Sequence, residues 1–109
     1  MASSRKRSRT AYSLLTSGTT FDNTFVFEGE VLTRYVLECA DTTSNRTRTL
    51  SIIDANSITV FTGAAHADNA NYSIPCDVEL DGTYTFRLTL SGTTGDAGTI
   101  TDYLTLFSR

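Results

Sequence analysis

Between residues 83 and 90 apolar and polar side chains alternate without a break, with Tyr84, Phe86, Leu88 and Leu90 on one parity and Thr83, Thr85, Arg87 and Thr89 on the other. An extended chain sends successive side chains to opposite faces, so this period of two aligns four apolar groups toward a core; a helix would scatter them. A longer strand is predicted over residues 30–39, where Val31, Tyr35, Leu37 and Cys39 share a face with Thr33 and the opposite face, Leu32, Arg34, Val36 and Glu38, is mixed. Residues 47–53 and 57–62 flank the short polar connection Asp54, Ala55 and Asn56, which predicts a hairpin with Leu50 and Ile52 facing Ile58 and Val60. Residues 72–80 read as extended, and Pro75 favours a sheet edge or strand start because it cannot donate a ladder hydrogen bond. Asp81-Gly82 reads as a turn. In the last strand, residues 99–107, Ile100, Leu104 and Leu106 share a face with Asp102, while Tyr103 and Phe107 take the other. Shorter strands are expected over residues 11–16 and 24–27, and small polar loops over residues 63–71 and 91–98.

These elements amount to seven or eight strands with no helix and no repeat, in a chain of 109 residues whose length suits one core. The expected fold is all-β: a single antiparallel β-sandwich, jelly-roll or Ig-like, over residues 10–109, preceded by a flexible basic arm over residues 1–9. Composition agrees, because twenty Thr and eleven Ser stand mostly between apolar residues rather than in tracts. Branching at the β-carbon suits Thr to the solvated face of a pleated strand.

Charge divides the chain in two. Arg5, Lys6, Arg7 and Arg9 crowd the first ten residues, which leaves five basic residues against twelve acids and a charge of −7 over residues 11–109. Dense like charge without apolar periodicity predicts a mobile arm that orders on a partner. That partner could be an acidic neighbouring protein subunit or a nucleic acid, bound with steep salt dependence; a solvated tail is the plainer reading. No apolar run is long enough for a spanning helix, and residues 1–7 lack the apolar stretch of a secretory leader, so a reducing cytoplasm and no membrane partner are expected. Cys39 and Cys76 then read as two free buried thiols unless the fold brings them together.

Candidate chemistry is sparse, and no enzymatic activity is expected. His66 is the only histidine and lies in a loop of Ala, Asp and Asn, where an ordinary exposed side chain is expected; Ser73 and Cys76 could complete a triad on paper but sit in no nucleophile signature. One His and two Cys separated by 36 residues do not make a zinc site, and Gly92, Gly95 and Gly98 precede a strand rather than opening a phosphate-binding helix. Asp77, Glu79 and Asp81 recur at period two and would project from one strand face. They could hold a calcium ion with loop oxygens from Asp68, Asn69 or Asn71, or form a solvated face that guards an edge strand; apart from that calcium possibility no cofactor is expected. With Tyr72, Tyr84 or Tyr103 the same acids would suit a carbohydrate- or calcium-dependent binding module.

Residues 72–92 and 99–107, with the glycine-containing loop between them, form a strand, loop and strand pattern. This segment resembles small β-rich virion proteins of tailed bacteriophages, which decorate or cement capsids or belong to tails and fibres. The resemblance implies a structural role in the virion after assembly in the host cytoplasm. Implied partners are the major capsid protein or another virion protein, together with further copies of the chain in a homo-oligomer. It carries no site residue across.

Overall fold

The computed structural model describes residues 5–109. Its strands are β1 (Arg5–Lys6), β2 (Thr10–Leu14), β3 (Thr20–Cys39), β4 (Arg48–Asp54), β5 (Thr59–Thr62), β6 (Ala70–Leu90) and β7 (Ile100–Ser108). All pairings are antiparallel.

The two longest strands set the architecture. β3 and β6 pair from Thr20 opposite Thr89 to Cys39 opposite Ala70, with register shifts between Phe27 and Glu30 and between Leu32 and Arg34. Each extra residue bends the ribbon and moves the inward-facing set to the other parity. Burial follows: Phe21, Phe25 and Phe27 face the interior, then Leu32, then Tyr35, Leu37 and Cys39. Leu32, which unbroken alternation puts on the mixed face, is therefore in the core. At the first bend Gly29 (φ 59°) and Gly82 (φ 105°) take left-handed conformations that suit glycine, and Gly82 pairs with Phe27. The expected turn at Asp81-Gly82 is thus a bend within one continuous strand, because the two glycines let the paired ribbon change direction without ending.

Beyond that bend, residues 30–39 and 70–80 continue into a layer with β7, along whose far side lie β1 and β2; before it, residues 20–27 and 82–90 form a layer with β4 and β5. One hydrogen-bonded sheet folds over on itself as a two-layered β-sandwich. The layers meet through Tyr12, whose hydroxyl donates to the Phe86 carbonyl at 2.8 Å, and through Tyr35 edge-on to Phe61 with ring centroids 6.3 Å apart. The shortest dimension, 21 Å, fits two stacked sheets with their outer side chains. Tyr84, Phe86, Leu88 and Leu90 all pack in or against the core, as their alternation predicts.

Three local expectations differ. The β4–β5 hairpin forms, but a register shift between Ile52 and Ile53 turns Phe61 inward, and Ile58 and Val60 stay 59% and 44% exposed. The loop over residues 91–98 buries Thr94 against residues 40–47, where the Ser44 N–H donates to the Thr94 carbonyl and the Thr43 hydroxyl to Asp96. The arm boundary also moves. Residues 1–4 lie outside the described residues, while Arg5 and Lys6 pair with Ser108 and Phe107 and the Arg7 N–H donates to the Leu106 carbonyl. Like charge does not hold residues 5–9 off the body, because β7 offers a free edge and Glu30 and Glu38 lie within reach of Arg7 and Arg9.

Candidate functional site

The basic segment divides into spent and unspent charge. Arg7 lies over the Phe27 ring, 4.2 Å from its centroid, and donates to the Val26 carbonyl and to Glu30 Oε2. Glu30 is buried and also accepts from the Ser108 hydroxyl at 2.7 Å and the Glu28 N–H at 2.9 Å. Those two donors, helped by Arg7, outweigh burial and hold its carboxyl below the usual carboxylate range. Arg9 grips Glu38 with two hydrogen bonds, 2.7 and 3.1 Å, and stacks 3.5 Å from the Tyr103 ring centroid. The Arg9 hydrogen bonds pull the Glu38 pKa down. Arg5 and Lys6 make no side-chain hydrogen bond or ion pair among the described residues; both are exposed on β1 and line a shallow cleft with Arg7, Val26, Glu28 and Glu30.

Asp77, Glu79 and Asp81 do project together from the exposed face of β6, opposite the parity that packs on the core. Asp81 accepts the Gly29 N–H at 3.0 Å and so helps to fix the bend. The proposed helpers are not brought to them. Asp68 turns inward to Arg48 and Thr42, and Asn71 lies six residues, about 20 Å, before Asp77 on the same strand. Among the described residues no group of three or more His, Cys, Asp or Glu side chains is placed to share a metal ion.

The interior holds a charged cluster that alternation does not announce. Arg48, fully buried at the start of β4, donates Nε to Asp102 Oδ2 at 2.7 Å and Nη2 to Asp102 Oδ1 at 3.0 Å, and so ties β4 to β7 across the sandwich. Its remaining bonds reach Asp68, the Arg46 carbonyl (2.6 Å) and the Ala40 carbonyl (2.8 Å). Asp102 also accepts the Ala40 N–H, and Asp68 accepts both N–H and hydroxyl of Thr42. Burial alone would lower the Arg48 pKa and raise that of Asp68; hydrogen bonds to Asp102 and Asp68 on the one side, and from Arg48 and Thr42 on the other, reverse both directions, so Arg48 and Asp68 stay charged inside the domain. Outside the cluster, the neighbouring Asp68 carboxylate raises the pKa of Asp41.

His66 belongs to this region and is buried, contrary to the expected exposed loop position. Its backbone bridges to Arg48, its Nε2 lies 3.0 Å from the Tyr35 hydroxyl, and its ring packs 4.6 Å from that of Tyr72. Desolvation pushes its pKa down. The loop folds inward because main-chain bonds to Arg48 satisfy its peptide groups, an arrangement that local composition does not signal. Asp102 could have been suspected, since it is the one charge on the apolar parity of the last strand, and Arg48 shares the parity of Leu50 and Ile52.

Tyrosines that could serve as a sugar platform are engaged elsewhere. Tyr72 packs on His66 and donates to the Ala67 carbonyl, Tyr103 lies under Arg9, and the Tyr84 hydroxyl bonds to the Asp81 backbone. Cys39 and Cys76 are free thiols, the first buried and the second half-buried.

No protein-family model matches this chain, and no curated protein does so. Among solved structures, it is similar to the CBM36-1 domain of a multidomain xylanase from the hindgut metagenome of Trinervitermes trinervoides, with 17% identity, coverage of 91% of this chain and 96% of that chain, and a TM-score of 0.49. It is also similar to a chain of the infectious bursal disease virus Gx strain, with 11% identity over 98% of this chain and 33% of that chain and a TM-score of 0.45. The D431N mutant VP2 protein of infectious bursal disease virus, in derived T=1 particles, gives 12% identity over 96% of this chain and 31% of that chain, with a TM-score of 0.43. The chain thus spans about a third of the length of those viral chains.

Proposed function

We propose that this chain is a structural virion protein, a decoration or cement subunit that binds a capsid lattice through its β domain. The observation that carries this reading is the use made of its charges. Arg7, Arg9 and Arg48 are spent on pairs that fasten the domain to itself, while unpaired charge lies in short stripes at strand edges. A domain so fastened presents edge charges in fixed positions, and many such weak contacts on a symmetric lattice add up through multivalency. The partner in this reading is the major capsid protein or another virion protein, and the place is the assembled particle. Mass spectrometry of purified mature particles tests it: the chain should be present in a stable ratio to the lattice protein, and its absence overturns the proposal. Reversing Arg5 and Lys6 to Glu should lower occupancy on particles without unfolding the domain. Deleting residues 1–9 is a poorer probe, because it also removes the Arg7–Glu30 and Arg9–Glu38 pairs.

A further inference from the structure

The layer built from β1, β2, β7, residues 30–39 and residues 70–80 ends in two strand edges of opposite charge. On one side β1 carries Arg5 and Lys6 and, among the described residues, has a single neighbour, β7. On the other, residues 70–80 pair only with β3 and carry Asp77 and Glu79 on their exposed face. None of these four side chains has a hydrogen-bond or ion-pair partner among the described residues. We propose that the basic β1 edge of one copy docks against the acidic β6 edge of a second copy, joining copies head to tail through this layer.

Three observations favour a second copy as the occupant. The first is level. Ladder rows run from Lys6 through Phe107 and Arg34 to Pro75, and from Arg5 through Ser108 and Leu32 to Val78. The two rows that begin at the cations therefore end on Pro75 and Val78, which bracket Cys76 and Asp77, with Glu79 next to Val78. Copies placed side by side at the same height bring Lys6, on the outer parity, next to Asp77 and Glu79, while Arg5 adds its charge from the other face of the same edge.

The second is strand sense. Each neighbour in the layer is antiparallel, so with four strands across, β6 of one copy and β1 of an identically oriented copy also meet antiparallel. The third is exclusion of symmetric pairing. A two-fold contact of β6 edges would set Asp77 and Glu79 against their own copies, and a contact of β1 edges would set cations against cations; like charges directly opposite are destabilising. Only the unlike edges attract. Pro75 lacks an N–H, so the joint relies on side-chain charge more than on an unbroken ladder. Contacts of this kind are heterologous and produce rings or filaments rather than closed two-fold dimers.

This inference does not depend on the virion reading, since it concerns the isolated protein. Sedimentation of the purified full chain at 50 mM and 500 mM NaCl reads it directly, because added salt shortens the reach of exposed charges from beyond about 10 Å to well below it. Association at low salt should weaken at least tenfold at high salt. The variants R5E/K6E and D77K/E79K each acquire two edges of one sign, so each alone should remain monomeric. Their equimolar mixture should associate again, now alternating acidic and basic copies. If either reversal unfolds the domain by circular dichroism, the neutral variants R5Q/K6Q and D77N/E79Q replace it and should lower association at least tenfold. A chain that stays monomeric at low salt, association insensitive to salt and to all four positions, or a mixture that stays monomeric overturns the proposal. Salt-insensitive association that persists in both variants would point to the β5 edge, where Ile58 and Val60 are exposed.

Discussion

Replacing Asp102 with Leu isolates what the buried ion cluster contributes. Leu keeps the branched four-atom skeleton of Asp but has no acceptor, so the change removes three accepted hydrogen bonds, from Arg48 Nε, Arg48 Nη2 and the Ala40 N–H. Breaking a buried ion pair by deleting one partner costs about 3–5 kcal/mol, because the other charge remains buried. Here Arg48 keeps Asp68 and two carbonyls, which places the expected loss near the lower end, about 3 kcal/mol. Against a total stability of about 5–15 kcal/mol, the variant should still fold. Its melting temperature should fall by roughly 12–24 °C, taking about 4–8 °C per kcal/mol for a domain of this size. Urea denaturation reads the free energy directly, with an unchanged m-value showing that the denatured state is not altered. A loss below about 1 kcal/mol would refute the reasoning, since it would mean that Arg48 finds equivalent solvation without Asp102. A second arm separates direct coupling from general damage. Arg48→Met combined with Asp102→Leu should cost about 2 kcal/mol less than the sum of the single changes, whereas strict additivity would show that the two residues do not act as a pair.

Gly82→Ala should cost about 1–2 kcal/mol in the same assay, because φ is 105° there and the surrounding space is open, so the penalty is conformational rather than steric; an unchanged stability would show that the bend tolerates a side chain. Acid should destabilise the domain as Glu30 takes up its proton. Its folded-state pKa lies below the ordinary 4.5, so its contribution is complete above that value and disappears as pH falls through the folded pKa; Glu30→Gln should flatten that part of the pH profile, and a parallel profile counts against the assignment. Burial pushes the Cys39 thiol up to about 12, so at pH 8 it should react with a thiol reagent only after denaturant is added, and rapid reaction of the native protein would contradict its burial.

Where a strand faces one core without a bulge, alternation alone places its residues. Residues 84–90 and 100–106 are such stretches, each covered by a single layer opposite. β3 is not, because it carries one extra residue against β6 between Phe27 and Glu30 and one against β7 between Leu32 and Arg34, and an inserted residue looks in sequence like an interruption of the pattern. Residues 24–27 and 30–39 consequently read as two strands when they are one. Gly82 poses the same problem in another form. A hairpin turn and a left-handed bend both favour glycine, and only the long pairing of β3 with β6 distinguishes them.

Charge was legible by position but not by partner. The nine basic residues look alike in composition, yet period two gives those of the first segment different fates. Arg5 and Lys6 are adjacent and face opposite sides of β1, Arg7 reaches inward to Glu30, and Arg9 lies on Tyr103 beside Glu38. A sum over the segment therefore overstates what a partner could feel, because two of its four cations are already neutralised inside the chain. The acidic stripe behaves differently. Asp77 and Glu79 lie on the exposed parity of the stretch of β6 that, among the described residues, pairs with β3 alone, and there the alternation that predicted their alignment also predicted their exposure. Arg48 and Asp102 show the converse case. Each is a lone charge on an otherwise apolar parity, and an isolated buried charge is costly enough that it implies a counter-charge somewhere. Two of opposite sign on two predicted strands thus constitute a long-range contact that can be inferred before any fold is known, and they cross the sandwich between β4 and β7.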